Sequence, residues 1–493
     1  MLTAEQIKLF IENDRTSARK TAAQLGQDYY DGKHDILKRR IFYVDGDGNL
    51  KEDKVNSNIK IAHPFFRVIA DQGVQYVFSG KDGFIKSENP ELQEILDERY
   101  NNNDQFIEEL YEATLSCCVQ GFSYFYCSKD EDNRNKWECA DGLGVVEVRA
   151  KETDDKCEYL IRWYVDRVDD KGRQIKRIEV WDAEQVTYYE QIDDGEITLD
   201  EDEEENPRPH TLYEKNGQLF RDKGYGRIPF IKLKNNRHET SDLAAIKDKI
   251  DDYDLMNVDL SNTLQDTNTS LYVIKGFDGD NLDEVIMNIR AKKHVGVPEG
   301  GDLDIKTIDI PVEARKTKMD TDRENIFFFG YALDPNGRKE TSARTSIEIK
   351  TMYAGLDLKA NKMAIVLKSF LRKVLEFDLE EINAQSETAY ALKDVHFDFD
   401  EREVPSNALE NAQIALTEAQ TRQTNVNAIL DAQTMLDHET IVKKICEIFD
   451  VDYEDVKDKL PEEMPEVTTD NAITALNNAP TEPEAGSDVI ADA

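Results

Sequence analysis

Two long segments of this chain carry a clear helical signal and almost no apolar surface. From Ser241, a favoured N-cap residue, apolar side chains recur at Leu243, Ile246, Ile250, Tyr253, Met256, Leu260 and Leu264, one narrow stripe among Lys, Asp and Asn. A second helical segment opens at Pro311, a favoured first-turn residue, and its stripe is only Val312, Met319, Ile326 and Leu333. Isolated helices are marginal in water, and most helical stability comes from packing an apolar face. Helices this polar persist where they bridge domains or stand side by side in an assembly. The two segments therefore predict an oligomer in which they pack laterally, through Leu260, Leu264, Met319 and Ile326, as staves of a wall with water on the far side. The first of them follows a buried strand, "IPFIKL", and a polar hinge, "KNNRHE".

Charge narrows the possible roles. The chain has 62 Lys and Arg against 102 Asp and Glu, a formal net charge of −40 over 493 residues. Self-repulsion is strong, and non-specific adhesion to nucleic acid is disfavoured. The length suits two to four domains. No run of eighteen apolar residues exists, so no membrane span is expected. The opening "MLTAEQIKLFIEND" has neither a cationic n-region nor an apolar h-region, and a chain that is not secreted is expected. The cysteines (Cys117, Cys118, Cys127, Cys139, Cys157 and Cys446) show no C-x-x-C spacing and read as reduced thiols of a cytoplasmic protein.

Along the chain, residues 3–40 read as helical, "YVDGDGNLKED" as a turn between short strands, and 58–78 and 104–119 as amphipathic helices. From Gly121 to Phe230 the period switches to two, as in "YLIRWYV", "RIEVWD" and "VTYYEQI", which predicts strands. Within that sheet "DEDEEENPRPH" (200–210) reads as a solvated, mobile insertion. Residues 269–310 read as a compact α/β piece inserted between the two polar helices. A loop at 334–345 precedes a helical region from Ser342 to about Asn383, with a kink expected at Gly355. Short helices are expected over 406–460. The tail from residue 461 has eight acids and no Lys or Arg and is expected to be disordered. The fold class is α+β, rich in helix.

Motifs for chemistry are missing. "DGDGNLKED" offers Asp45, Asp47 and Asn49 as calcium ligands, but Leu50 stands where the loop needs Gly and Asn56 where it needs a bidentate Glu; it reads as a hairpin turn. No G-x-x-x-x-G-K-[ST] and no H-E-x-x-H occurs. No catalysis, cofactor or metal is expected. Lys33, His34, Lys38, Arg39 and Arg40 form either an exposed helix face or a phosphate contact. Arg338, Lys339 and Arg344 are cations on a Gly-containing loop of a strongly acidic chain, and serve either solubility or phosphate contact.

Several segments resemble the portal proteins of long-tailed bacteriophages of Gram-positive hosts. "YYDGKHDILKRR" is similar to that family's Tyr-Tyr-x-Gly-x-His-x-Ile segment, and "VNSNIKIAHPFFRVIADQGVQYVFSG" to its Asn-x-Lys-Ile-x-His helix. "GRIPFIKLKNNRHETSDL" resembles the family's junction of wing and stem, and "FDFDEREVPSNALENAQIALTEAQTRQTNVNAI" its late segment before the crown. The resemblance spans roughly residues 20–460, and its specificity lies in the order and spacing of the motifs. It implies a ring of about twelve subunits at one capsid vertex, through which double-stranded DNA passes in either direction without sequence specificity. On that template 1–235 is wing, 236–268 the first stem helix, 269–310 the clip, 311–332 the second stem helix, 333–383 the tunnel loop and long wing helix, and 384–460 the crown. The tunnel-loop cations Arg338, Lys339 and Arg344 would meet DNA, and the clip, with Lys292, Lys293 and His294, would dock partners. Those partners are the terminase packaging motor and the head-completion adaptor, with major capsid and scaffolding proteins around the ring. The template places the protein in the virion at the portal vertex, and in host cytoplasm during assembly. The chain departs from the family at Ser342-Ala343-Arg344-Thr345, where Ser-Gly-x-Ala is frequent. Two other readings stay open: a metal-dependent DNA-processing enzyme using acids of the 121–230 sheet, and a head adaptor without a pore.

Overall fold

The structure, a computed structural model, describes residues 2–267 except 55, 81–82, 152–155, 204, 212, 216–217 and 221–223; then 271–275, 302–306, 310–334, 346–399 except 387, and 402, 408–431, 438–449 and 453. The chain divides into two compact units, one of residues 1–342 with 350–404, the other of 343–349 with 405–493.

The first unit opens with α1 (Ala4–Arg15) and α2 (Ala18–Tyr30), within the stretch that reads as helical from sequence. Thr3 and Gln6 cap α1 reciprocally, and Ser17 accepts from the Lys20 amide to start α2 afresh. The hairpin β1 (Phe42–Val44) and β2 (Leu50–Glu52) sits where the failed calcium pattern predicted a turn. The next helix, α3 (Phe65–Val77), starts seven residues later than expected. His63 precedes Pro64, which disfavours helical backbone before the ring, and the segment from Ser57 to His63 is bound elsewhere.

After β3 (Ile85–Ser87), α4 (Pro90–Leu96) and α5 (Asp104–Gln120), Gly121 turns the chain with φ +94° beneath the Glu239 carbonyl, where a Cβ would meet the oxygen at 2.3 Å. Strands β4 (Phe122–Lys129), β5 (Asn135–Ala140), β6 (Val145–Val148), β7 (Tyr159–Val168), β8 (Gln174–Trp181), β9 (Gln185–Ile192), β10 (Ile197–Leu199), β11 (Arg208–Pro209), β12 (Tyr213–Lys215), β13 (Gln218–Phe220) and β14 (Phe230–Lys234) follow. They pair antiparallel, as the period of two required: β10-β9-β8-β7-β6 with β11 beside β9, the three-stranded β14-β4-β5, and β12 with β13. Ile7 of α1 is buried with Val146, Ile161, Ile178 and Tyr189 of the larger sheet. The acidic run 200–210 is a correction. It is docked rather than solvated: Asp200 and His210 are buried, Asn206 bonds the Tyr188 backbone, Arg208–Pro209 pairs with β9, and Arg177 pairs with Glu203.

The long helices come next: α6 (Lys247–Thr267), α7 (Val312–Phe329) and α8 (Ser346–Ser386). At 41 residues, α8 spans about 60 Å, and its hydrogen-bonded run continues through Gly355 where a kink was expected. Its buried row, including Leu356, Met363, Leu367, Leu371 and Val374, packs in the main core with α3 and α5. Of the inserted piece, the described part is the antiparallel pair β15 (Leu271–Lys275) and β16 (Asp302–Lys306). Strand β17 (Val395–Phe397) returns to pair with β3. In the second unit α9 (Ala408–Asp431) is 24 residues long, where short helices were expected, and packs with α10 (His438–Phe449). The tail expected to be disordered lies outside the described residues.

Candidate functional site at the junction of the two helices

Asp254, spaced at four-residue steps from Val258, Asn262 and Asp266, marks one ridge of α6. Along that ridge the extended segment 57–63 is strapped down. The Ile59 amide donates to Asn262 Oδ1 at 2.8 Å, and the Ser57 hydroxyl to Asp266 Oδ1 at 2.6 Å. The His63 amide and Nδ1 both reach Asp254 Oδ1, at 3.1 and 2.7 Å. The second carboxylate oxygen takes His34 Nδ1 at 2.7 Å. Asp254 and His34 are wholly buried. Burial alone would raise the Asp254 carboxyl, but its bonds to His34 and His63 hold it below the usual carboxylate range. His34 stacks on Tyr29 at 4.4 Å, and Tyr29 bonds Asp251. Lys247 links Asp35 and Asp251 at 2.9 and 2.6 Å, and Arg39 pairs with Asp259 at 2.7 Å. The polar residues that made α6 look solvated are therefore largely consumed inside the chain.

On the other side of α6 lies α7, running antiparallel. Asn257 reaches the Met319 sulfur at 3.9 Å, Arg315 the Thr263 hydroxyl at 3.3 Å, and Lys318 bridges Asp252 and Asp322. Both helices root in the main core: Leu243 and Ile246 just before α6 and Ile250 in its first turn, and Ile326 and Phe327 at the end of α7. Phe65 packs edge-on against both Tyr253 and Phe327, so one aromatic joins α3 to both helices.

The polar hinge is a fixed bracket. Glu239, at φ +55°, pairs with Lys232 at 2.6 Å, Lys234 at 2.9 Å and Arg19 at 3.2 Å. Burial pushes its carboxyl up, but Lys232 and then Lys234 outweigh this and hold it at about 2. Asn235 donates to Asp242 at 2.7 Å and to the Thr240 carbonyl at 3.0 Å. Asp242 in turn meets the buried Lys359 of α8 at 3.0 Å. Burial would raise the Asp242 carboxyl, and Lys359 holds it low.

Of the residues singled out from sequence, Ile326 is corrected. It is fully buried in its own core, which leaves it no surface for a neighbour. Met319 is half-buried against α6, Leu260 is half-buried, and Leu264 is exposed. Arg338, Lys339 and Arg344 lie outside the described residues, as do Lys292, Lys293 and His294. In the basic cluster, His34 and Arg39 face inward while Lys33, Lys38 and Arg40 stay exposed. Sequence reasoning missed the two-histidine clasp, although both histidines stand in the motifs quoted above. In the sheet, Glu190, Asp200 and Asp202 bring ligand atoms within 4.8 Å of one another. Arg167 already pairs with Glu190 and Asp202, and Arg177 with Asp200, a poor setting for a divalent cation. Asp378 of α8 accepts from Tyr100, Trp137 and Asn135. Burial pushes its carboxyl up to about 6, against the pull of those donors.

The family model for phage portal protein, SPP1 Gp6-like, matches residues 10–456. The portal protein of Bacillus phage SPP1 is 28% identical over 387 residues, covering 77% of this chain and 75% of that protein. The portal protein of Clostridium phage phiCD119 is 22% identical over 426 residues, covering 83% and 88%. Among solved structures, the chain is similar to the neck of a native GTA particle computed with C12 symmetry, at TM-score 0.39 and 14% identity over 78% of this chain and 89% of that one. It is also similar to the neck of an empty GTA particle computed with C6 symmetry, at TM-score 0.37 and 14% identity over 78% and 90%. With a family match running over nearly its whole length, the chain belongs to the SPP1 Gp6-like family of phage portal proteins.

Proposed function

We propose that copies of this chain close into a ring whose channel passes double-stranded DNA into the capsid during packaging and out during ejection. The observation that carries the reading is the antiparallel pair of α6 and α7. It leaves and re-enters the core at one bracketed junction and carries the inserted β15–β16 piece at its far end. In this reading the pair is the stem and residues 269–310 the clip. Residues 1–235 with 333–383 form the wing and tunnel loop, and 384–460 the crown. The clip docks the packaging motor and later the head-completion adaptor. The role is structural, without catalysis. A charge of −40 suits a conduit, because every neutralised phosphate adds counterion-release affinity that would hold the DNA in place.

Packaging assays test this reading. Arg338→Glu with Lys339→Glu is expected to leave ring yield unchanged and to lower the DNA packaged or retained. Equal packaging by variant and wild type across a salt series would remove these cations from translocation. Replacing 276–305 with a short Gly-Ser linker is expected to spare the ring and abolish motor binding. Unchanged motor affinity would sink the clip assignment.

A further inference from the structure

The outer edge of β9 is closed in three pieces. Strand β10 covers Tyr189–Gln191, and β11 sets Arg208 opposite Val186 and Pro209 opposite Gln185. Between them Asn206 accepts from the Tyr188 amide at 3.0 Å and donates to the Tyr188 carbonyl at 2.8 Å, as a paired strand would. An uncovered strand edge is a template for pairing with another chain, and Asn206–His210 is what covers this half of it. At the end of that segment stands His210, 6% exposed. Its ring lies between Trp181, at 5.4 Å, and Tyr225, at 5.8 Å, and neither ring nitrogen has a hydrogen-bond partner.

A neutral imidazole fills that seat as an aromatic ring. A second proton would put a charge there, away from water and with no carboxylate bonded to it. Among the described residues the charged group acting on the ring is Asp182 of the β8–β9 turn. Its Oδ1 already accepts the Glu184 and Gln185 amides, both at 2.9 Å. Tyr225 gives its hydroxyl to Asn135 Oδ1 at 3.1 Å, and on the segment itself Arg208 pairs with Glu203 at 3.4 Å. Burial holds the His210 ring below its usual 6.5, against the pull of the Gln185 backbone and of Asp182.

We infer that His210 is a proton-operated latch on this edge: when its ring takes a second proton, Asn206–His210 leaves β9 and the edge from Gln185 to Tyr188 opens. Linkage fixes the sign. The released ring takes its proton at the usual 6.5 and the seated ring only below that, so the closed form is favoured above pH 6.5 and lost as pH falls. Between pH 7.5 and 5.5 the opening equilibrium shifts by up to about tenfold.

Hydrogen exchange of the full-length protein at pH 7.5 and 5.5, corrected for intrinsic rate and read by mass spectrometry, tests the latch. In wild type, protection of the peptide containing Tyr188 is expected to fall several-fold at pH 5.5, up to about tenfold. His210→Phe keeps an aromatic ring in the seat but cannot take the proton, so its protection there is expected to be equal at both pH values. The acids of the region remain in that variant, so a loss that persists in it belongs to them and overturns the latch. Equal wild-type protection at both pH values overturns it too. If thermal unfolding shows that His210→Phe does not fold, the pH profile of exchange at the His210 ring Cε1–H in wild type decides. A midpoint below 6.5 is expected, and one at or above 6.5 overturns the latch.

Discussion

Asp254 is a carboxylate at zero exposure in the middle of a helix that reads as polar and solvated. It is tolerable there because both oxygens are filled, by His34 and by the ring and amide of His63, and removing that acceptor leaves several buried donors unsatisfied, at about 1–3 kcal/mol each. Asp254→Ala is accordingly expected to destabilise the protein by about 3–5 kcal/mol. It should also speed amide exchange at Ile59 and His63, whose protection depends on the strap; unchanged exchange would show that the strap holds without the clasp. Glu239 gives a pH signature. Its folded carboxyl sits at about 2 against an ordinary 4.5. Its contribution is therefore present above pH 4.5 and is lost as pH falls towards 2. Glu239→Gln is expected to cost about 3 kcal/mol at pH 7, with the gap to wild type narrowing below pH 4.5. Urea unfolding of both proteins at pH 7 and pH 3.5 checks this, and a gap that widens on acidification would contradict the bracket.

At the scale of elements, α6 and α7 show what a one-dimensional pattern carries and what it omits. Period two over 121–230 was legible because alternate side chains face alternate sides of a sheet, and the strands formed where that pattern lay. The start at Ser17 was capping chemistry that went unread, whereas Ser241, read as the cap of the long helix, caps only the 3-10 turn Asp242–Ala245, and α6 itself begins at Lys247. The strap was not legible, because the partners of its amides are side chains of a helix some 200 residues away. The docking of 200–210 failed for a similar reason: acids read as solvated when the arginines that receive them are distant in sequence. Ile326 was read as a contact between subunits because its helix showed one apolar residue per turn pair. The core it enters comes from α3 and the base of α6. Ile326→Ala should therefore lower the stability of the chain itself by about 2–4 kcal/mol. Leu264→Asp, at an exposed position, should leave unfolding within about 0.5 kcal/mol of wild type. Equal unfolding midpoints for Ile326→Ala and wild type would place that side chain outside the core.

At the scale of the whole molecule, the consumption of polar groups along α6 changes why an assembly is expected. A helix short of apolar surface no longer demands neighbours, since the strap and α7 cover most of it. Family membership is what makes an assembly expected. If copies of this chain close around a channel, single-particle imaging of the purified full-length protein, with its mass measured in the same buffer, should show it. Closed rings of one defined subunit number are expected, with an open central channel lined by the α6–α7 pairs. Monomers at micromolar concentration, open filaments, or discs with no channel would contradict this reading.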